Sequence, residues 1–288
     1  MIEELVIRPP SEAESVLLKA TDGCSHNACS FCAAYRGVRF RVRDLKTVFA
    51  EIGEAASLWP DARRVFLGDG DAMSLSAPHL DSILERLGQA FPRLHRVGIY
   101  ANARDILSKT DEQLAGLKAR GLGIVYLGLE SGDDEVLSRV CKGATAEEMV
   151  QAVVRAQAAG IKASVIALLG IAGPEGSRKH AQATGRIASR MNPRFFSCLT
   201  VMVVRGTPLA TLMQKKQFKL PDPHAILQEL RVVVENLDCH GTVFRSNHAS
   251  NYLPLEGTLP KDKERLLAEI DACLRGETGM RPDFLRGL

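Results

Sequence analysis

From Val16 to about residue 240, short apolar runs alternate with segments of helical period, and this alternation narrows the folds open to the chain. Val16-Leu17-Leu18, Val65-Phe66-Leu67, Val97 to Tyr100, Ile124 to Leu127, Ala163 to Leu169 and Phe195 to Val204 read as six strands. Asp44 can cap a helix with Leu45, Val48, Phe49 and Ile52 on one face. The segment after Ser76 carries Leu80, Ile83, Leu84 and Leu87 at helical spacing. Thr110 with Gln113 and Thr145 with Glu148 are capping-box signals, and Gly121 is a stop for the helix that Thr110 opens. A polar helix is expected over roughly Arg178 to Met191, and Asp222-Pro223 opens another. Strands and helices in this order imply right-handed βαβ units and a parallel sheet. About six units are too few for a closed eightfold barrel, which leaves an α/β fold built as an open, partial (βα)6 barrel or as a doubly wound sheet. In both, ligands gather at the carboxyl ends of the strands.

The polar segments follow the strands in that manner. A cysteine loop follows the first strand, Gly68-Asp69-Gly70-Asp71 the second, Asn102 the third and Glu130-Ser131 the fourth. The loop reads Cys24-Ser25-His26-Asn27-Ala28-Cys29-Ser30-Phe31-Cys32, three cysteines within nine residues. The chain has seven cysteines, an odd number with three bunched, which is no disulfide framework and reads as metal or redox chemistry. Three close thiolates with no fourth nearby suggest an iron–sulfur cluster with one iron open to a ligand. The same spacing also occurs in plant-type ferredoxins, which need a fourth cysteine; here the next is Cys141. A structural zinc site using His26 is a further alternative.

With these residues in view, the sequence resembles the radical S-adenosylmethionine superfamily over roughly residues 15–260. The commonest motif there is C-x3-C-x2-C; this chain has one more residue in the first gap, and Phe31 before the last cysteine is typical. The resemblance is greatest to the group with oxygen-independent coproporphyrinogen oxidases, elongator-type enzymes and methylthiotransferases. It implies a partial (βα)6 barrel core over residues 1–245, with 246–288 completing the same domain as a polar segment and a short helical extension (Leu266, Leu267, Ile270, Leu274). It implies that Cys24, Cys29 and Cys32 hold three irons of a [4Fe-4S] cluster and that S-adenosylmethionine chelates the fourth. Gly68, Asp69, Gly70 and Asp71 stand where the family has a Gly-Gly-Glu-type turn, with Asp in place of the Glu. Glu130 and Ser131 match a segment that meets the cofactor's polar groups, Lys142 falls near its carboxylate, and Gly170 and Gly173 belong to the turn approaching the adenine. Asn102 joins the cofactor set by its place after the third strand. The implied reaction is one-electron cleavage of S-adenosylmethionine to a 5′-deoxyadenosyl radical, which abstracts hydrogen from a substrate.

Other features are less specific. Arg205, Asn247, His248 and Asn251 are candidates for substrate contact, and the run from Ser246 to Tyr252 for a polar lid. The basic run Arg36 to Arg43 is a solvated face or a dock for an acidic electron donor such as flavodoxin or ferredoxin. Cys198 and Cys239 are expected to be buried, inert thiols. A net charge of +3 argues against a dedicated nucleic-acid-binding protein and leaves an RNA substrate open. Met1 to Leu5 lack signal-peptide features, and the longest apolar run, Ala163 to Gly173, is too short for a bilayer, so a cytoplasmic protein without membrane contact is expected. Few residues precede Cys24 and no cysteine-rich extension follows, which favours an enzyme acting on a small molecule. The runners-up are radical modification of RNA and a non-catalytic iron–sulfur or zinc protein.

Overall fold

A computed structural model describes residues 8–287; the run Met1 to Leu5 lies outside the described residues. In chain order the elements are β1 (Val16–Lys19), β2 (Thr21–Asp22), β3 (Arg41–Val42), α1 (Leu45–Leu58), β4 (Arg64–Gly68), α2 (Ala77–Ala90) and β5 (Arg96–Tyr100). There follow α3 (Ala103–Leu107), α4 (Asp111–Ala119), β6 (Leu122–Glu130), α5 (Asp134–Arg139), α6 (Ala146–Ala158), β7 (Lys162–Leu169) and α7 (Gly173–Met191). The chain closes with β8 (Phe195–Thr200), α8 (Pro208–Gln214), α9 (Pro223–Glu235), β9 (Val243–Arg245), β10 (Glu256–Thr258) and α10 (Lys263–Leu274). Eight strands form one sheet in the order β1-β4-β5-β6-β7-β8-β9-β10, while β2 and β3 make a separate antiparallel ribbon. The main sheet is mostly parallel, and the last pair, β9 with β10, is antiparallel.

All six strands expected from the sequence are present, and so are the caps. Asp44 accepts from Thr47 N at 3.2 Å, and Thr110 with Gln113 closes a reciprocal capping box. Three boundaries differ. β6 runs from Leu122 to Glu130, so Glu130 closes the strand rather than following it. β8 ends at Thr200, because the chain turns to set Thr207 as the cap of α8, where its hydroxyl accepts from Ala210 N at 3.2 Å. α7 starts at Gly173 rather than near Arg178, with Pro174 suited to its first turn.

The chain divides into two compact units, the first of Met1–Asn27, Ala34–Leu127 and Val154–Ala163, the second of Ala28–Ala33, Gly128–Val153 and Ser164–Leu288. In the first, β4, β5 and β6 are nearly continuous apolar runs, as strands buried on both faces require. Val48, Ile52, Leu80, Ile83, Leu84 and Leu87 of α1 and α2 are all buried. Phe66 meets Tyr100 and Tyr126 edge-on, with ring centroids 5.1 and 5.7 Å away. The fully buried Glu12 accepts from Tyr126 Oη at 2.5 Å, pairs with Arg96 Nη2 at 2.8 Å and also accepts from Ser15. Burial, and then the bond to Glu12, push the Tyr126 hydroxyl up to about 12.

In the second unit α7 and α9 pack closely. A Cβ at Gly185 would stand 2.6 Å from Asn236 Cβ and 2.8 Å from Val233 O, so glycine is needed there for the approach. A further cluster joins Val136, Val140, Ile171, Ala172, Val201 and Leu209, with Phe31 packed against it. The end of β8 is tied down by Asn251, whose Oδ1 accepts from Thr200 N at 2.7 Å and whose Nδ2 donates to Cys198 O at 2.7 Å and Ser246 O at 2.8 Å.

Candidate active site

In the first unit, the turn after β4 and the start of the cysteine loop are built as one piece. Gly68 ends β4 opposite Lys19 of β1. Asp69 has φ +70°, and its Oδ2 accepts from Gly23 N at 2.9 Å and lies 3.9 Å from Lys19 Nζ. Gly70 N donates to Gly23 O at 3.1 Å. A Cβ on Gly70 would stand 2.5 Å from Cys24 Cβ and 2.7 Å from Cys24 Cα, so only glycine lets the turn lie against this cysteine.

Asp71 is fully buried beyond that contact. Its Oδ2 accepts from Asn102 Nδ2 at 2.6 Å and from the Ser25 hydroxyl, and Arg104 Nη2 donates to Ser25 Oγ at 2.6 Å. Asn102 is the N-cap residue of α3, but its side chain makes no cap bond and reaches Asp71 instead. Asp71 Oδ1 has no hydrogen-bond partner. Burial first, and the neighbouring Asp105 carboxyl second, push the Asp71 carboxyl up to about 7, against the lowering effect of Ser25 and Asn102. Lys109 braces the following turn by donating to Met73 O at 2.6 Å.

The second unit holds the other candidates. Cys32 N donates to Cys29 O at 3.3 Å, Ser30 N to Val140 O at 2.9 Å, and Leu209 N to Ser30 O at 2.9 Å. At the end of β6, Glu130 has φ +61° and Ser131 N donates to Leu129 O at 2.7 Å, a γ-turn of the strained hand. Its carboxylate pairs with Lys142 Nζ at 2.9 Å. A Cβ at Gly128 would stand 2.0 Å from Glu130 Oε1 and 3.0 Å from Lys142 Nζ, so this ion pair occupies the space of a missing side chain. Ser131 Oγ stands 2.7 Å from His180 Nδ1 and accepts from Asp133 N at 3.0 Å. Gly170 and Gly173 have φ +82° and +74°, and Gly170 N donates to Glu229 Oε1 at 2.6 Å.

The four substrate candidates are held in different ways. Arg205 is exposed and lines a groove of about 570 Å³ with Val201, Met202, Val203, Met213 and Leu220. Asn251 is buried and committed to β8, while Asn247 is bound to Glu256 at 3.2 Å. His248 Nδ1 lies 2.9 Å from Ser250 Oγ, and burial, then Arg281, hold its pKa below the ordinary value. Cys198 and Cys239 are buried, and burial raises both thiol pKa values. In the basic run, Arg41 pairs with Asp22 at 2.5 Å and Arg43 with Glu51 at 2.5 Å, so part of its charge is neutralised locally. Sequence reasoning missed Ser25, Arg104, His180, Thr184 and Glu229. Glu229 had a readable signal, a charge on the buried face of α9 between Ile226 and Leu230.

A family model described as "Radical SAM superfamily" matches residues 18–177. Over 186 residues the chain is 23% identical to the protein named heme chaperone HemW of Bacillus subtilis (strain 168), covering 63% of this chain and 48% of that one. It therefore spans about half the length of this curated relative. The structure of the coproporphyrinogen III oxidase HemN from Escherichia coli superposes with a TM-score of 0.57 at 17% identity, covering 77% of this chain and 63% of that one. That of the archaeal Methanocaldococcus infernus Elp3 does so at 0.55 and 13%, covering 92% of this chain and 64% of that one. The shared fold is the partial barrel of these proteins. No helix among the described residues is long and apolar enough to cross a membrane. With over half of its length matched, the chain belongs to the radical SAM superfamily, enzymes that use a [4Fe-4S] cluster and S-adenosylmethionine and require a reductant and a substrate.

Proposed function

We propose that this chain uses Cys24, Cys29 and Cys32 as ligands of a [4Fe-4S] cluster and cleaves S-adenosylmethionine to take hydrogen from a small-molecule substrate. The observation that carries this reading is Asp71, a fully buried carboxylate with one oxygen lacking a partner, on a turn whose Gly70 lies against Cys24. Asn102 and Ser25 satisfy one oxygen; the other, buried without a partner, is a costly acceptor that a donor ligand would satisfy. The ammonium of a bound methionine moiety fits that need. Among the described residues no three His, Cys, Asp or Glu side chains are gathered as a metal site, so the cluster ligands are argued from the spacing of soft thiolates and from the family.

When bound, the cluster and cofactor together supply one-electron cleavage of the sulfonium and a carbon-centred radical. The protein's part is to bind and orient. Asp71 and Glu130 offer acceptors to the ammonium and ribose hydroxyls, and Lys142 offsets the cofactor carboxylate. Asn102 and Ser25 hold Asp71 in place, and Asp69 supports the cysteine loop through Gly23. Gly68, Gly70, Gly170 and Gly173 keep backbone available for close approach. We assign the substrate to the groove beside Arg205. The electron donor is taken to be a flavodoxin or ferredoxin, the protein to be cytoplasmic, and residues 1–245 to be one catalytic core completed by 246–288.

The ligand assignment is checked by electron paramagnetic resonance of the reduced cluster. S-adenosylmethionine should shift the wild-type spectrum and leave that of Asp71→Ala unchanged at the same cofactor concentration. Identical shifts in both would remove Asp71 from the reading. To separate a small-molecule substrate from RNA, cofactor cleavage is measured with a small-molecule extract and with total RNA; stimulation by RNA alone would favour the RNA-modifying runner-up. A second reading, tetrapyrrole binding, draws on the likeness to HemW and the apolar groove. Absence of a heme absorbance shift on titration would dismiss it.

A further inference from the structure

The γ-turn at Glu130 holds a non-glycine residue in a conformation that surrounding contacts must enforce. Those contacts come from α7. His180, fully buried, stands with Nδ1 2.7 Å from Ser131 Oγ, and Thr184 Oγ1 accepts from Gly132 N at 2.9 Å. A Cβ on Gly132 would stand 2.4 Å from Ala183 O, so the turn lies directly on the helix backbone. Ser131 Oγ already accepts from Asp133 N. The Glu229 carboxylate 3.4 Å from Nε2 favours the ring proton on that nitrogen, which leaves Nδ1 to accept from the Ser131 hydroxyl.

The far side of the same imidazole faces Glu229 of α9. Nε2 lies 3.4 Å from Glu229 Oε1 without hydrogen-bond geometry, and both side chains are fully buried. Glu229 Oε1 also accepts from Gly170 N at 2.6 Å, and Oε2 accepts from Ser177 of α7. One carboxylate thus holds the turn after β7 directly and lies against the imidazole that meets the turn after β6. A hydrophobic pair at these positions would pack two helices equally well. Only a polar pair grips two strand-end turns.

We propose that Glu229 and His180 are positioning residues for S-adenosylmethionine, fixing the Glu130–Ser131 turn and the Gly170–Gly173 turn in register for the cofactor. This rests on the reading that those two turns meet it. Groups that orient metal ligands from behind typically change affinity or activity by about 10–100-fold when removed, and an effect at the lower end of that range is expected for turns that hold a cofactor.

The test uses the reconstituted holoenzyme. The dissociation constant for S-adenosylmethionine and the spectrum of the reduced cluster with cofactor are measured for wild type, Glu229→Ala, Glu229→Gln and His180→Ala. Glu229→Ala and His180→Ala should weaken binding by about 10-fold or more at unchanged cluster content. Glu229→Gln, which keeps an acceptor for Gly170 N, should recover most of the loss and the wild-type spectrum. A purely structural role would lower the melting temperature and leave the affinity of folded protein and the spectrum as they were; that result overturns the proposal. Should Glu229→Ala fail to fold, Glu229→Gln and His180→Ala carry the test, and wild-type affinity in His180→Ala at unchanged cluster content counts against the proposal equally. Glu130→Ala is the reference. Wild-type affinity there would overturn the contact reading and the proposal together. Weakened binding there with none in the Glu229 and His180 variants would overturn the proposal alone.

Discussion

Replacing Asp71 with Asn should stabilise the cluster-free chain above neutral pH and lose that advantage in acid. Burial, and then Asp105, raise the carboxyl pKa from 3.8 to about 7. Each pKa unit is worth about 1.4 kcal/mol, so a shift of about 3 units sets a ceiling of about 4 kcal/mol on what the ionised side chain costs the fold. The folded chain holds this proton more tightly than the unfolded chain. Stability therefore falls as pH rises from about 4 to about 7, and the full penalty is present above that window. The Asn oxygen still accepts from Asn102 and Ser25, and its amide can donate toward Asp105. A gain of about 2–4 kcal/mol near pH 8 is expected, which at this chain length moves the melting temperature by roughly 3–7 °C. The assay is thermal unfolding of wild type and Asp71→Asn, both without cluster, from about pH 4.5 to about pH 8. A difference that is absent at the alkaline end, or equal at both ends, would refute the argument. The same substitution should weaken cofactor binding, as expected where a destabilising group is kept for function.

Three other substitutions separate the parts of the structure. Gly70→Ala forces a Cβ to within 2.5 Å of Cys24 Cβ; overpacking of this kind costs about 1–3 kcal/mol, and cluster content after reconstitution, read from iron and absorbance, should drop sharply. Lys142→Met leaves Glu130 nearly buried without its 2.9 Å partner; denaturant unfolding should show a loss of about 3–5 kcal/mol, and S-adenosylmethionine affinity should fall as well. Glu12→Ala removes a buried acceptor for Tyr126, Ser15 and Arg96. It should cost roughly 2–4 kcal/mol of stability while leaving the cofactor dissociation constant within about twofold of wild type, since a destabilised but folded chain keeps its site.

The strands were legible because β4, β6 and β7 are buried runs of Val, Ile and Leu, bounded by caps that form as read at Asp44, Thr110 and Asp222. β9 and β10 were not, since three residues each carry no usable period. α7 reads as a polar helix from sequence because its inward face is Gly173, His180, Ala181, Thr184, Gly185 and Ala188, small or polar groups that no hydrophobic period detects. The cysteine spacing and the positions of Asp71 after β4 and Glu130 at the end of β6 were readable in the same way. What sequence could not supply were bonds between distant residues, such as Arg104 to Ser25 and Glu229 to Gly170. Nor could it tell that Asn251, in a hydrogen-bonding cluster suited to a lid, is buried and spends its amide on the end of β8.

The proposed function requires the clustered cysteines to support reductive cleavage of S-adenosylmethionine. The direct measurement is anaerobic: reconstitute the cluster, add S-adenosylmethionine and dithionite, and quantify 5′-deoxyadenosine by mass spectrometry beside the Cys24→Ala, Cys29→Ala, Cys32→Ala triple variant. Product is expected from the wild type and none from the variant. Equal product from both, or a wild-type cluster whose spectrum ignores the cofactor and which forms no product with any substrate pool, would contradict it.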